Sequence, residues 1–582
     1  MTWTAVSPRN VLFWSGAGIS HDTPTNGPLG RDLTERAMKH FMTDDTGQEI
    51  AKLYTELGVR NANFRPRLET VLDALTDVYG LAGLENVLSD LVDAKPNTNH
   101  AFFAQHLRVG GQHITANFDS CIERAGLEQE NDELNRVVHI HESVGGNRDL
   151  SSLGARLHII ENGFPETLVQ TLDSVLGSDG ISTIVFLGYS GSDFFDATPY
   201  LLSHLDLLEG KKIVWHDYQE DTSSSSPKQE QAPGTLLGEL LRNGVRVEVI
   251  SGTLWDFLSR LSVAWSIPYI PATKKSDKSN WNPSIGNTDT LRKQATSALY
   301  IRMGFRRGVI RAFSIEDPKD AQGWEGLADA HWGAGNYLKA LGAWEQVYLG
   351  DDDASKARIG ERRGATLWIR GQLLAAERHM WQQVNKWGEL DSPAGSSASI
   401  ATLETYGRII QHMQRLPDVK WFVNSRKVEE VEHRLIMLAN TAKGHEGIVL
   451  KAKLLNVISA LKGEEDANLQ KHIDSFTESE ALHAWLNFEH ALLRLRATKP
   501  TKERPAPNRL DYELQLRRQE ALGATADVAR TYLLPGATRY FTPMDVFKAF
   551  KPVEITSWHR GRLVGGFAAL WLIEQFRRRK QI

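Results

Sequence analysis

The sequence predicts a Rossmann-like α/β domain with a parallel sheet, followed by an all-α helical-repeat region. Three observations lead there. Short apolar runs alternate with helical patterns over roughly the first 265 residues, the pattern of strands joined by crossover helices. Strand signals then almost vanish. Within the helical half, one segment echoes its neighbours at the spacing of a helical hairpin.

In chain order, the buried strands are expected at 11–14, 113–115, 183–187, 212–215 and 245–250, with a further apolar, strand-like run at 137–140. Amphipathic helical stretches lie between them, for instance 68–75 and 100–107. The segment QEDTSSSSPKQEQAPG (219–234) reads as a polar surface insertion before the last strand. The expected domains are an α/β domain over 1–268, a linker over 269–292 that includes the polar stretch 271–290, helical repeats over 293–400 and an all-helical region over 401–582.

The best repeat unit is GWEGLADAHWGAGNYLKALGAWEQV (323–347), with Trp324, Leu327, Ala328, Gly335, Ala340 and Trp344 at the offsets of a tetratricopeptide repeat. Gly304 with Val309 and Phe313, and Gly371 with Ala376 and Met380, fall at corresponding places. The glycines are spaced by 31 and then 36 residues, so the array is irregular. Beyond residue 400, helices are expected at 446–461 and 481–496, and the Trp- and Phe-rich segment 556–576 reads as a buried capping helix.

The chain has 582 residues, of which 41% are hydrophobic and 24% charged, the make-up of a globular protein of two to four domains. A net charge of −5 supplies no global attraction to nucleic acid. The terminal Arg577, Arg578, Arg579 and Lys580 suit a basic patch or, more simply, a helix C-terminus complementing its dipole. A single cysteine, Cys121, excludes an internal disulfide and a structural zinc built on CxxC pairs. The N-terminus lacks the pattern of a signal peptide, and no apolar run reaches 18 residues, so the expectation is a soluble cytoplasmic protein that neither enters nor anchors to a membrane.

The first chemical candidate is VLFWSGAGIS (11–20), a strand running into a tight turn at Gly16, Ala17 and Gly18. Position 21 is His, so the dinucleotide fingerprint GxGxxG is incomplete. The simple alternative is a strand-to-helix turn with Ser20 or Asp22 as helix cap. The second candidate is TANFD, where Thr115, Asn117 and Asp119 are spaced by two and so face one way while the chain stays extended. They end a strand of an open parallel sheet, where such sheets bind ligands. Here the alternative is a cap on a helix beginning near Cys121.

Five segments in order then resemble the sirtuins: GAGIS followed by Pro24, PNTNHAFFAQHL (96–107), TANFD, the histidine of VVHIHES (137–143), and GYSGSDFFD (188–196). Sirtuins carry GAGxS, a Pro-x-x-x-His helix, T-x-N-x-D, a His-Gly and a later G-x-S, and the resemblance spans roughly residues 5–265. Two departures narrow it. The four-cysteine zinc module of lysine-deacylating sirtuins cannot be built here, so no zinc is expected. The glycine that usually follows the catalytic histidine is Glu142, which leaves His139 as a competitor to His141. His141 is preferred because it ends the run 137–140. A histidine at either position can equally be a cap or a structural group.

A zinc-less sirtuin-like domain joined to helical repeats resembles the NADases of bacterial anti-phage defence. The resemblance implies NAD as a consumed substrate, cleaved to nicotinamide and ADP-ribose. Gly16, Ala17, Gly18 and Ser20 would hold the pyrophosphate, with Pro24 and Thr115 alongside. Asn117 would orient water or a ribose hydroxyl, Asp119 would accept from the carboxamide, and His141 would act as base. Gly188, Ser190 and Asp193 would touch phosphate or ribose. A phage-derived or accessory protein would act as trigger through the helical half, and a homo-oligomer is expected. The competing functions are an NAD-dependent protein deacylase and a repeat scaffold that senses NAD without turning it over.

Overall fold

The computed structural model describes most of residues 3–441 and 509–579, including 3–56, 66–127 except 93, 137–144, 163–191, 196–219 and 236–271. The chain divides into two compact units, Met1–Gly47 with Arg65–Thr296, and Gln48–Phe64 with Ser297–Ile582. The second unit thus includes the segment 48–64 from within the expected α/β range.

The first unit is built on a six-stranded sheet: β1 (Val11–Ser15), β2 (Gln112–Thr115), β3 (Val137–His139), β4 (Thr183–Leu187), β5 (Lys212–Tyr218) and β6 (Val247–Gly252). Every pairing is parallel and the order is β3-β2-β1-β4-β5-β6. This is the doubly wound order, whose direction of growth reverses between β1 and β4 and opens a ligand crevice at the strands' C-terminal ends. All residues of β1 and β4 are buried, as central strands covered on both faces must be. Expected and observed strands agree to within a few residues. β5 and β6 run further towards their C-termini than their apolar residues indicated, because edge pairing recruits Asp217 and Ser251 as well.

Alternation along the strands makes two cores. Leu12, Trp14, Ile184, Phe186 and Ile213 face one side, with Leu172 of α7 (Glu166–Leu176), Leu201 of α8 (Ala197–Ser203) and Leu240 of α9 (Leu236–Arg242). Val11, Phe13, Val185 and Val214 face the other, with Phe102 and Phe103 of α5 (Thr98–Arg108) and Phe257 and Leu261 of α10 (Leu254–Trp265). Between β1 and β2 the chain also forms α1 (Gly30–Phe41), α2 (Thr46–Glu56), α3 (Leu68–Tyr79) and α4 (Leu81–Val92). α6 (Cys121–Leu127) follows β2.

The described part of the second unit is helical: α11 (Asp289–Arg302, begun in the first unit), α12 (Arg306–Phe313), α13 (Ala321–Gly333), α14 (Tyr337–Val347), α15 (Asp353–Ile369), α16 (Leu373–Trp387), α17 (Pro393–Gln414), α18 (Ser425–Thr441), α19 (Arg509–Leu522), α20 (Pro543–Phe550) and α21 (Ser557–Arg579). Gly304, Gly335 and Gly371 each sit between two of these helices, with φ of 62°, 83° and 88°. A residue with a side chain resists that left-handed conformation, so the glycines are what turn the chain. At the middle turn, Ala328 and Ala340 are buried beside Trp344.

The final helix α21 presses Phe567 onto Tyr512, Val546 and Phe550 but leaves Leu570 and Leu572 exposed, so it is buried on one side only. Arg577, Arg578 and Arg579 lie in its last turn. The insertion 219–234 beyond Gln219, most of the linker 271–290, and the expected helices 446–461 and 481–496 lie outside the described residues. No helix among the described residues is long and apolar enough to cross a membrane.

Candidate active site at the sheet's C-terminal edge

The turn after β1 and the turn after β4 touch backbone to backbone. Gly16 donates its amide to the Leu187 carbonyl (3.2 Å), and Gly18 donates to the Gly188 carbonyl (3.0 Å). A Cβ on Gly16 would lie 2.7 Å from the Gly188 oxygen, and one on Gly18 would lie 2.7 Å from the Gly188 Cα. Gly188 itself has φ 58°. Two of the three amides expected to face a pyrophosphate are therefore engaged within the fold, with the half-buried Ala17 between them. The segment Ala17–Ser20 is a four-residue 3₁₀ turn, and the first α-helix begins only at Gly30. Neither Ser20 nor Asp22 caps it, so the strand-to-helix reading of this turn does not hold.

Ser20 instead points into a buried polar cluster. His100 accepts the Asn97 amide on Nδ1 (3.1 Å), so its proton sits on Nε2 and is donated to Ser20 Oγ (3.0 Å). Ser20 Oγ also accepts from Asn117 Nδ2 (3.0 Å) and donates to Asp119 Oδ2 (2.8 Å). Asp119 Oδ2 takes a further bond from Asn117 Nδ2 (3.3 Å), and Oδ1 accepts the Cys121 amide (3.1 Å).

Burial works against ionisation of Asp119, but the His100 ring, the Ser20 hydroxyl and the Cys121 amide outweigh it, and the carboxyl titrates below its ordinary range. Burial pushes His100 down, against the pull of Asp119. His100 is thus neutral at pH 7, as its acceptor role requires, and at that pH hydrogen bonds rather than an ion pair hold Asp119.

These contacts fix the orientation of Asn117. An ionised carboxylate only accepts, so the amide nitrogen of Asn117 faces Asp119 and its Oδ1 faces away. That Oδ1 is buried without a hydrogen-bond partner among the described residues. A buried orphan acceptor costs about 1–3 kcal/mol and is a place where a ligand or water gains a bond. Thr115 supports the arrangement from below. Its hydroxyl accepts from Ser15 Oγ (3.0 Å) and from the Asn117 amide (3.1 Å). Being fully buried, it positions Asn117 and offers a ligand no surface. The cap expected on the helix near Cys121 is present too, made by Asp119.

The two histidines of the β3 end differ. His139 contacts the Asn117 carbonyl through Nδ1 (3.1 Å) and Glu123 Oε1 through Nε2 (2.6 Å), so both ring nitrogens are committed. His141, two residues on, sets Nε2 against Asp196 Oδ2 at 2.9 Å, both side chains being buried. Glu142 adopts φ 60°. The backbone thus keeps a glycine-like conformation where a glutamate stands.

The Phe118 ring lies tilted beside His141 (ring centroids 6.0 Å), and Val144 donates to the Phe118 carbonyl, tying the β2 and β3 ends together. Of the other expected contacts, Pro24 and Ser190 are exposed beyond the two turns, and Asp193 lies outside the described residues.

His100, Asp119 and Cys121 bring three potential ligand atoms within 4.8 Å of one another. All three are already hydrogen-bonded. Burial also raises the Cys121 thiol well above its ordinary value, and the thiol donates to the Ala94 carbonyl (3.3 Å). This donor set does not fit a metal, which requires the thiolate.

The sequence motifs contained His100 and Asp196 without marking either as a site residue. His100 was legible from its Asn97-x-x-His100 spacing, a capping box that aims the ring. Asp196 meets His141 across 55 positions, and no spacing rule could have paired them. Protein-family models and curated proteins, compared with the chain, give no match.

Proposed function

We propose that the α/β unit binds NAD and hydrolyses its N-glycosidic bond, releasing nicotinamide and ADP-ribose. The observation that carries the reading is the orphaned Oδ1 of Asn117, held at the sheet's C-terminal edge by Ser20 and Asp119. The His141–Asp196 pair stands on the neighbouring strand end. Nicotinamide leaves as a neutral molecule from a cationic ring, so no general acid is needed. The site has only to fix the ribose, shield an oxocarbenium-like centre and place water.

In this reading Asn117 Oδ1 accepts from that water or from a ribose hydroxyl. His141 takes the proton. The Ala17 amide receives the pyrophosphate at the turn that the contact of Gly16 and Gly18 with Gly188 shapes, with Ser20, Pro24, Ser190 and Asp193 at the margins. Asp119 already serves three internal donors, and its main part is to orient Asn117. The resemblance to the anti-phage NADases alone extends the proposal to defence. There, tetratricopeptide-like hairpins turned at Gly304, Gly335 and Gly371 would receive a phage-derived or accessory trigger, and homo-oligomers would form. No zinc is invoked.

The test is nicotinamide release by the purified full-length chain from NAD, alone, with an acetyl-lysine peptide, and with lysate of infected cells. Release without peptide supports the proposal. Release only with peptide makes the protein a deacylase. NAD binding without release in any arm makes it a sensor.

A further inference from the structure

We infer that Asp196 is the positioning partner of His141, fixing the imidazole with its proton on Nε2. The inference rests on the NADase reading only for its catalytic consequence.

The geometry is specific. Asp196 Oδ2 lies 2.9 Å from His141 Nε2. Its other oxygen, Oδ1, accepts the Ala197 amide at the start of α8 (2.6 Å), so the carboxylate cannot swing away without uncapping that helix. The ring is held from the other side as well. The His141 carbonyl accepts the Gly154 amide (3.0 Å), and a Cβ on Gly154 would stand 2.9 Å from the His141 Cα. Only a residue without a side chain lets this backbone lie on the histidine.

A cap alone does not call for a carboxylate, because Asn and Ser cap as well. A carboxylate does more than fix the tautomer of a buried imidazole, because it also stabilises the charged ring that forms when His141 takes a proton. Other charged groups face the pair: Arg67 acts on Asp196 and Glu69 on His141, both at the start of α3, where they bond to each other (3.1 Å), and Glu142 adjoins His141 in the chain. Burial alone would favour the neutral acid of Asp196, but His141 and the Ala197 amide outweigh it, so the carboxyl titrates below its ordinary range. The carboxylate is therefore present at neutral pH as the acceptor that the tautomer needs.

The experiment uses the full-length chain labelled with ¹⁵N-histidine, with His141→Gln assigning the resonance. Wild type is expected to show His141 protonated on Nε2 between pH 7 and 8. Asp196→Asn keeps the size and the cap but cannot accept that proton. It is expected to lower the His141 titration midpoint by about one pH unit or more, because an ionised neighbour favours the charged ring. Nicotinamide release should fall by about 10²–10⁴-fold, with the acid limb of its pH profile moved to lower pH. Asp196→Glu should restore part of both.

An Nδ1-protonated His141 in wild type overturns the inference without any variant. So does an Asp196→Asn protein whose tautomer and midpoint are unchanged. If wild type releases no nicotinamide under any condition, the NADase reading falls, and the resonances still decide the role of Asp196.

Discussion

Ser20 Oγ and Asn117 Nδ2, 97 residues apart in the chain, are joined by a 3.0 Å hydrogen bond inside the protein. Through it the turn after β1 sets the angle of the amide that ends β2. Ser20→Ala would leave the His100 Nε2–H without its acceptor and take one donor from Asp119. We expect a loss of about 2–3 kcal/mol in urea unfolding, the cost of unsatisfied buried groups. Asn117→Ala removes an amide whose oxygen is already orphaned, so it should cost about 1 kcal/mol or less yet abolish nicotinamide release. Equal stability losses in the two variants would count against this division of labour.

The glycines at the β1–β4 contact make a second prediction. Gly18→Ala places a methyl 2.7 Å from the Gly188 Cα, which is backbone and cannot rotate aside. The two turns must separate, at about 1–3 kcal/mol for overpacking of this kind, and NAD binding measured by calorimetry should weaken with them. Gly30→Ala is the control, since a Cβ there meets nothing.

Acid sensitivity follows from the buried histidines. His106 is held by burial at about 4, against the pull of its bond to the Pro8 carbonyl (2.8 Å), while an unfolded histidine titrates near 6.5. The folded pKa lies below the unfolded one, so the unfolded chain gains protons first. Stability is therefore full above pH 6.5 and declines as pH falls towards 4, by up to about 3 kcal/mol for this one group. His100 and His113 are shifted the same way. Asp119 acts in the same direction at lower pH, its stabilisation being lost as pH falls from the ordinary carboxylate range towards its depressed folded value. Thermal midpoints should thus begin to drop between pH 6.5 and 4, and His106→Gln should flatten that part of the curve.

Glu142 carries φ 60°, which costs a residue with a side chain about 1–2 kcal/mol. Glu142→Gly should leave stability unchanged or raise it by up to about 1 kcal/mol, because glycine's extra freedom in the unfolded chain offsets part of the relief. Glu142→Val should lower it by more than about 1 kcal/mol. The paired urea midpoints check the sign.

Much of this architecture was legible in the residues. Fully apolar runs such as VLFW and TIVFL have no alternative to a doubly covered strand, and Gly335 and Gly371 mark turns that only glycine makes easily. The shared facing of Asn117 and Asp119 followed from their spacing, whereas Ser20, expected at a pyrophosphate, joins them only because the β1 turn lies beside the β2 end. The inward use of the Gly16 and Gly18 amides did not follow, because it depends on where the β4 turn lies in space. Nor did the Asp196–His141 pair, since tertiary contacts between loops leave no period in the sequence.

The choice between the two histidines gives the last prediction. His139 has both ring nitrogens bound to protein groups, and its bond to the Asn117 carbonyl makes it a support for the residue proposed to meet the ligand. His141 meets a buried carboxylate through Nε2. His139→Gln keeps one polar contact and should reduce kcat/KM by less than about tenfold, the effect of a shifted neighbour worth about 1.4 kcal/mol. His141→Gln should reduce it by about 10²–10⁴-fold, as the loss of a general base does. Stability separates support from chemistry. His139→Gln should lower the urea midpoint more than its activity, because Glu123 then loses its partner. The reverse ranking, with His139→Gln inactive and His141→Gln active, would move the base to His139 and leave Asp196 a cap.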